Sequence, residues 1–166
     1  MIRRVSDFLE DWAYEREATL KILHRLTDAS LGRKVCDEGR TMGYLAWHLV
    51  LSMGEMMRRT GLSLGGPPED SPAPASALAI AEAYEAVSEA LEHGVQSTWT
   101  DEILEKEDEM YGERWKRGKT LGVLILHQAH HRAQLTVLMR QAGLKVPGVY
   151  GPSREEWQSF GLQPLP

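Results

Sequence analysis

The sequence predicts an all-α fold, a single four-helix bundle with a long crossover loop and an extended C-terminal tail. Four segments repeat apolar residues at three- and four-residue steps, the pattern of amphipathic helices. Segments with the alternating pattern of strands are few, and no internal repeat is visible. A chain of 166 residues has the length of one ordinary domain, so we expect residues 1–166 to form one helix-on-helix unit.

The first two predicted helices cover about residues 5–26 and 42–60. Acidic residues are enriched in the first turns of the first helix, where the helix dipole favours negative charge. Thr41 is predicted to be the N-cap of the second helix, and Gly61 is predicted to end it.

The other two predicted helices cover about residues 76–96 and 121–142. The third is rich in Ala, Glu and Leu, which are strong helix formers. Thr120 is the candidate cap of the fourth helix, and Gly143 is predicted to follow its last turn.

Three connecting segments differ in character. Residues 61–75 hold four prolines and three glycines and are predicted to form the long crossover loop. Residues 98–119 are predicted to form either a short irregular excursion or a small hairpin around Tyr111–Gly112. Residues 148–166 are predicted to cross the bundle as an extended strap, with a short turn near residues 154–158.

Composition argues against several classes of protein. With 19 Lys and Arg against 24 Asp and Glu, the formal net charge is -5, and no basic run suggests nucleic-acid binding. No apolar segment reaches the roughly 20 residues that a membrane span needs, and the N-terminal segment lacks a signal peptide's apolar core. Cys36 is the only cysteine and is better explained as a small loop residue than as a reactive thiol. We therefore expect a cytoplasmic protein without a membrane or nucleic-acid partner.

Two histidines of the fourth predicted helix have a spacing that suggests metal binding. His127 and His131 are four residues apart, so their rings project from one face about one turn apart. Two imidazoles in this geometry can chelate one metal ion. The same face carries Leu124, Leu135 and Leu138, so it is predicted to point into the bundle. By its spacing alone, the pair is as compatible with packing as with metal binding.

His48 lies on a largely inward face of the second predicted helix. Alone, it is better explained as an ordinary core or surface residue. Three imidazoles facing one interior are harder to explain as packing, because each unpaired buried polar group costs about 1–3 kcal/mol. One divalent transition metal ion would satisfy three acceptors and keep a coordination position open. Zinc and nickel are the first candidates, with iron and copper as alternatives.

Four neighbouring residues have weaker interpretations. Glu55 is a weak candidate for a catalytic base or for orienting a ligand imidazole, and is more readily an ordinary helix carboxylate. His130 is expected to flank the site. Arg132 and Gln134 could equally be a solvated arginine and an interhelical hydrogen bond. The sequence HQAHH lacks the intervening glutamate of zinc proteases, which argues against a hydrolase of that type.

The stretch His127–Gln134, HQAHHRAQ, resembles the H-x-x-x-H-R-x-Q signature of the DinB/YfiT-like metalloprotein family. The following sequence, LMRQAGLKVPGVYGPSREEW, resembles the end of that family's last helix and its tail, and Trp47–His48–Leu49 resembles the segment of its first ligand. The resemblance spans nearly the whole chain and is most specific around residues 127–147. It implies an up-up-down-down helix order, one metal ion on His48, His127 and His131, and often a homodimer. The apolar Leu126 and Val137, outside the histidine face, also favour a dimer.

The resemblance leads to three hypotheses about function. That family includes enzymes that use low-molecular-weight bacterial thiols, which implies an S-transferase or isomerase in which a metal-activated thiolate attacks a small-molecule electrophile. The second hypothesis is a metal-binding or stress-associated module without turnover. The third is a metal-dependent hydrolase, for which Glu55 would be the only general base that the sequence offers.

Overall fold

The computed structural model describes residues 1–163, which form four α-helices and one two-stranded antiparallel sheet. None of the helices in this part of the chain combines the length and apolar character needed to cross a lipid bilayer. The predicted four-helix bundle is confirmed. Pro164 and Pro166 of the predicted tail lie outside the described residues. The elements are α1 (Val5–Leu23), α2 (Met42–Arg59), α3 (Ala77–Thr98), β1 (Glu107–Met110), β2 (Glu113–Lys116) and α4 (Arg117–Gln141).

Hydrogen bonds at one end of the bundle fix the directions of three helices. The backbone N–H of Ile2 donates to the carbonyl of Gly118 over 3.0 Å, so α1 and α4 begin at the same end and run parallel. The buried Arg117, at the start of α4, donates to the carbonyl of Thr60, just past the end of α2. Helix α2 therefore runs antiparallel to α4 and α1.

The direction of α3 follows from the other end of the bundle. The backbone N–H of Ala77 donates to the Asp28 carboxylate over 2.7 Å, which places the start of α3 beside the end of α1. The order is thus up-down-down-up, and the expected up-up-down-down order is wrong. The chain reverses between α1 and α2, so the crossover has to connect the parallel helices α2 and α3.

The crossover loop runs back along the bundle between α2 and α3, as predicted. Leu62, at its start, packs beside Gly94 near the end of α3. Towards its other end, the carbonyl of Ser71 accepts a hydrogen bond of 2.9 Å from the indole N–H of Trp47, near the start of α2. The loop therefore covers one side of the N-terminal half of α2.

Two helix ends differ from their predictions, although Thr41 caps α2 as expected by accepting from the N–H of Tyr44. Helix α1 ends at Leu23, before the expected residue 26. Helix α4 begins at Arg117 rather than at residue 121. The Thr120 hydroxyl donates back to the carbonyl of Lys116 inside α4, so it is not a cap. Strand β2 leads directly into the helix, which explains the earlier start.

Of the two alternatives for residues 98–119, the hairpin is present. Tyr111 (φ 56°) and Gly112 (φ 83°) connect β1 to β2 with the two positive φ angles of a type I′ turn. A positive φ is unusual for a tyrosine. The Tyr111 hydroxyl donates to Glu55 Oε2 over 2.5 Å, and the Arg59 guanidinium lies 4.8 Å from the centre of its ring. These contacts hold the hairpin tip against α2.

The described part of the tail is anchored by Tyr150. Tyr150 donates to the buried Glu15 of α1 over 2.5 Å and accepts from Arg132 of α4. The Phe160 side chain is 64% exposed, so it contributes little to the docking of the tail. A short 3₁₀ turn at Trp157–Phe160 follows the expected turn region. The tail therefore docks on α1 and α4 through one tyrosine.

Replacing Gly118 with alanine should destabilise the fold. Its Cβ would lie 2.1 Å from the Ile2 carbonyl oxygen, so the N-terminal segment and α4 would have to separate. We expect the free energy of unfolding, measured in urea, to fall by about 1–3 kcal/mol. Gly122→Ala is the matched control in the same helix, because the nearest atom to its Cβ is 3.9 Å away. That variant should gain up to about 1 kcal/mol from helix propensity. Equal stabilities of the two variants would contradict this packing.

Candidate metal centre

His48 of α2 meets His127 and His131 of α4 in the groove between the two helices. Nitrogen atoms of the three rings all lie within 4.8 Å of one another. His48 Nε2 and His127 Nε2 are 3.2 Å apart. Nitrogen ligands of a tetrahedral zinc ion, at about 2.0–2.1 Å from the metal, lie about 3.3 Å from each other. The structure thus brings together the three histidines that the sequence singled out, with a spacing compatible with one ion. We call these three residues the triad.

A polar contact between α2 and α4 sets the level at which the triad forms. Gln128, adjacent to His127 in sequence, is fully buried. Its side-chain amide donates to the carbonyl of Leu49 over 3.0 Å and lies 3.4 Å from the Ser52 hydroxyl. Because Leu49 follows His48, this contact holds the two ligand-bearing turns side by side. The role of Gln128 was not predicted, although a polar residue on an otherwise apolar helix face was a visible signal.

The His131 ring is oriented by its own helix. His131 Nδ1 lies 2.8 Å from Gln134 Oε1, and Gln134 Nε2 lies 3.1 Å from His130 Nε2. An amide oxygen only accepts, so His131 Nδ1 carries the proton and Nε2 keeps a free lone pair. Gln134 therefore bonds within α4 rather than between helices. His130 flanks the triad, as expected.

Burial keeps the triad neutral. It is the main reason that the pKa of the His48 imidazole falls from 6.5 to about 4, and His131 and Arg40 lower it further. Burial, then His131 and His48, lower the pKa of His127 to about 4. Burial also lowers the pKa of His131. At neutral pH, unprotonated nitrogens are thus available, and imidazole nitrogens suit zinc, nickel, copper and iron. The donor set therefore fits a divalent transition metal ion.

Arg132 is buried, so its interpretation as a solvated arginine is wrong. Its guanidinium lies 2.7 Å from the Glu15 carboxylate and 2.9 Å from the Thr19 hydroxyl, both on α1. The Arg132 side chain is 2% exposed. No local pattern indicated this pairing, because Glu15 lies 117 residues away.

Glu55 lies near the triad but is occupied by other partners. Its Oε1 accepts from Arg59 Nε over 2.6 Å, and its Oε2 accepts from the Tyr111 hydroxyl over 2.5 Å. Within residues 1–163, it forms no hydrogen bond with a triad histidine. Both oxygens are thus engaged, which disfavours a role as general base.

A cleft of about 500 Å³ lies beside His48, between α2 and the crossover loop. Its walls combine aromatic, apolar and acidic side chains, so it could hold a small organic molecule next to a triad histidine. Residues that line it include Tyr44, Trp47, His48, Glu55, Ser71 and Pro72.

Comparison with known proteins gives consistent matches over the whole chain. The family model described as "DinB family" matches residues 1–165. The Bacillus subtilis (strain 168) protein YrdA is 44% identical over 163 residues, which are 98% of each chain. A crystal structure of a DinB-like protein from Bacillus cereus ATCC 10987 is 43% identical, with a TM-score of 0.87, and the match covers 90% of this chain and 100% of that one. The DinB-like protein YjoA from Bacillus subtilis, at 16% identity and a TM-score of 0.68, covers 86% of this chain and 97% of its own and shows similarity of fold alone.

Replacing any one triad histidine with alanine should remove most of the bound metal and leave the helices folded. Each replacement deletes one of three imidazole donors, whereas alanine favours the helix. Elemental analysis of protein purified without a histidine tag measures the metal content. His24→Ala and His93→Ala are controls, because both side chains are exposed and lie outside the triad. Full metal occupancy in His48→Ala would refute the three-histidine site.

The metal-free protein should lose stability as the pH falls from about 6.5 to about 4. His48 and His127 bind protons near pH 6.5 in the unfolded chain but only near pH 4 in the fold. The unfolded state therefore binds more protons within this window, and unfolding becomes easier at lower pH. Urea unfolding with a chelator present measures the effect. His127→Ala should show a shallower pH dependence than the wild type; identical profiles for the two proteins would contradict the lowered pKa values.

Proposed function

The chain belongs to the DinB family, and on that basis we propose that it is a metal-dependent protein that acts on small molecules, most specifically in a thiol-dependent transfer or isomerisation. The observation that carries the proposal is the convergence of three buried or half-buried, neutral imidazoles beside a cleft. A purely structural site would enclose its ion with a fourth protein ligand, whereas three ligands are typical of a site that binds a reactant.

His48, His127 and His131 would hold one divalent transition metal ion, with zinc or nickel as the first candidates. When bound, a metal ion of this class lowers the pKa of a water or thiol at its open coordination position. The hydrogen bond from His131 Nδ1 to Gln134 fixes which nitrogen of that ring faces the other two histidines.

In the proposed transfer, the sulfur of a small thiol forms a bond with an electrophilic carbon of a second molecule. The leaving group departs with the bonding electron pair, and the thiol proton passes to water. The chain contributes by binding and orientation. Trp47 and Tyr44 provide aromatic walls for the electrophile, and the indole N–H of Trp47 is already used by Ser71, so the Trp47 ring is held in place.

The two alternatives have less support. A hydrolase would need a free general base, and the Glu55 carboxylate is engaged by Arg59 and Tyr111. A module without turnover would have no use for the cleft beside His48. We also propose a homodimer formed through α4, because Leu126 and Val137 on that helix are 68% and 50% exposed.

Metal-loaded protein should join a small thiol to a reactive aryl chloride such as 1-chloro-2,4-dinitrobenzene. Thioether formation, followed by absorbance, should saturate with thiol concentration, because the thiol occupies a site on the protein. His127→Ala should lose this activity, and His93→Ala should keep it.

Two other outcomes identify the alternatives. Hydrolysis of test esters without thiol, abolished in Glu55→Gln, would support the hydrolase instead. Stoichiometric metal with no turnover for any thiol or ester would support the module without turnover. Either result would contradict the transferase.

A further inference from the structure

The aromatic ring of Tyr44 lies between the Arg40 guanidinium and His48 of the triad. This residue comes directly before Thr41, the N-cap of α2. Its guanidinium carbon lies 4.8 Å from the centre of the Tyr44 ring. That ring is stacked on the His48 ring, with 6.1 Å between centres and 13° between planes. A positive charge is therefore held at the edge of the candidate metal centre.

The hydrogen-bonding groups of Arg40 have no partner among residues 1–163. In the part of the chain that the structure describes, Arg40 forms no ion pair and donates no side-chain hydrogen bond, although Asp37 and Glu38 lie in the same loop. The attraction between the guanidinium and the Tyr44 ring is electrostatic and occupies none of the N–H donors as a hydrogen bond would. A planar fork of donors is matched best by a carboxylate.

A second pocket, of about 420 Å³, is lined by both Arg40 and Gln134. Gln134 also holds His131, so the pocket and the triad share a wall. The rest of the lining is mostly aliphatic: Val35, Leu45, Val137 and Leu138. One cation, one amide and four aliphatic side chains are suited to a short carbon chain that ends in an anion.

The two ends of the groove between α2 and α4 differ in charge. At the Tyr111 end, the Glu55 carboxylate lies beside Arg59 and is compensated. At the other end, the charge of Arg40 has no partner among the described residues. A ligand with a carboxylate would therefore lie with that group towards Arg40 and its other end towards the histidines.

We propose that Arg40 is the anchor for the carboxylate of a small aliphatic thiol whose sulfur reaches the triad. This proposal rests on the proposed function and narrows it, because it makes the thiol an anionic one. Arg40 is then a binding residue that sets specificity. Without such a ligand, its stacking would only shield the apolar ring of Tyr44.

The test compares two thiols of equal length, 3-mercaptopropionate and the neutral 3-mercaptopropionamide. Protein loaded with Co²⁺ reports thiol binding through the sulfur-to-cobalt charge-transfer band, which does not depend on turnover. We expect the wild type to bind the carboxylate roughly tenfold more tightly than the amide. Arg40→Met should bind the two equally and keep the wild-type affinity for the amide. Arg33→Met, an exposed residue of the same loop, is the matched control and should keep the preference.

The outcomes separate the anchor from the underlying function. Equal binding of both thiols by the wild type would overturn the anchor and leave a thiol-dependent function standing. An equal loss of affinity for both thiols in Arg40→Met would show that Arg40 has a structural role, and this result would also overturn the anchor. Cobalt-loaded protein that binds neither thiol would overturn the thiol-dependent function, and the anchor with it.

Discussion

The buried ion pair between Arg132 and Glu15 is the constraint on which the candidate site depends. The two side chains are 2% and 6% exposed and lie 2.7 Å apart. Leaving one such charge buried without its partner costs about 3–5 kcal/mol, so α4 can dock only with Arg132 turned towards α1. Successive residues of a helix are about 100° apart around its axis. The neighbouring His131 is therefore turned away from α1 and towards α2, where His48 lies.

One turn before Arg132 in α4, Gln128 makes the corresponding contact with α2. Its amide meets the Leu49 carbonyl inside the bundle, where an unpaired polar group would cost about 1–3 kcal/mol. The middle of α4 thus contacts both α1 and α2 through polar groups, and an apolar stripe alone does not define its rotation. The two polar contacts are specific in distance and direction, so they hold the histidine rings at one level more strictly than apolar packing would.

Local signals in the sequence predicted the four helices, the Thr41 cap and the pairing of His127 with His131, because these depend on helical period and on residues a few positions apart. The family resemblance was needed to add His48, which lies 79 residues before His127. The helix order could not be predicted in this way, since it depends on contacts such as Ile2 with Gly118. The burial of Arg132 was equally hidden, because an arginine inside a helix is ordinarily solvated and its partner is remote. Whether the triad holds metal remains a prediction, and so do the dimer, the thiol and the cytoplasmic location.

The placement of the triad on α2 and α4 has a consequence for the order of events during synthesis. His48 leaves the ribosome 79 residues before His127, and α3 and the hairpin are made in between. A nascent chain that stops short of α4 can offer an ion one of the three rings, so tight capture has to wait until the last helix has docked. An ion that binds only the completed bundle raises the population of that state by mass action. Occupancy would then mark chains that have finished folding.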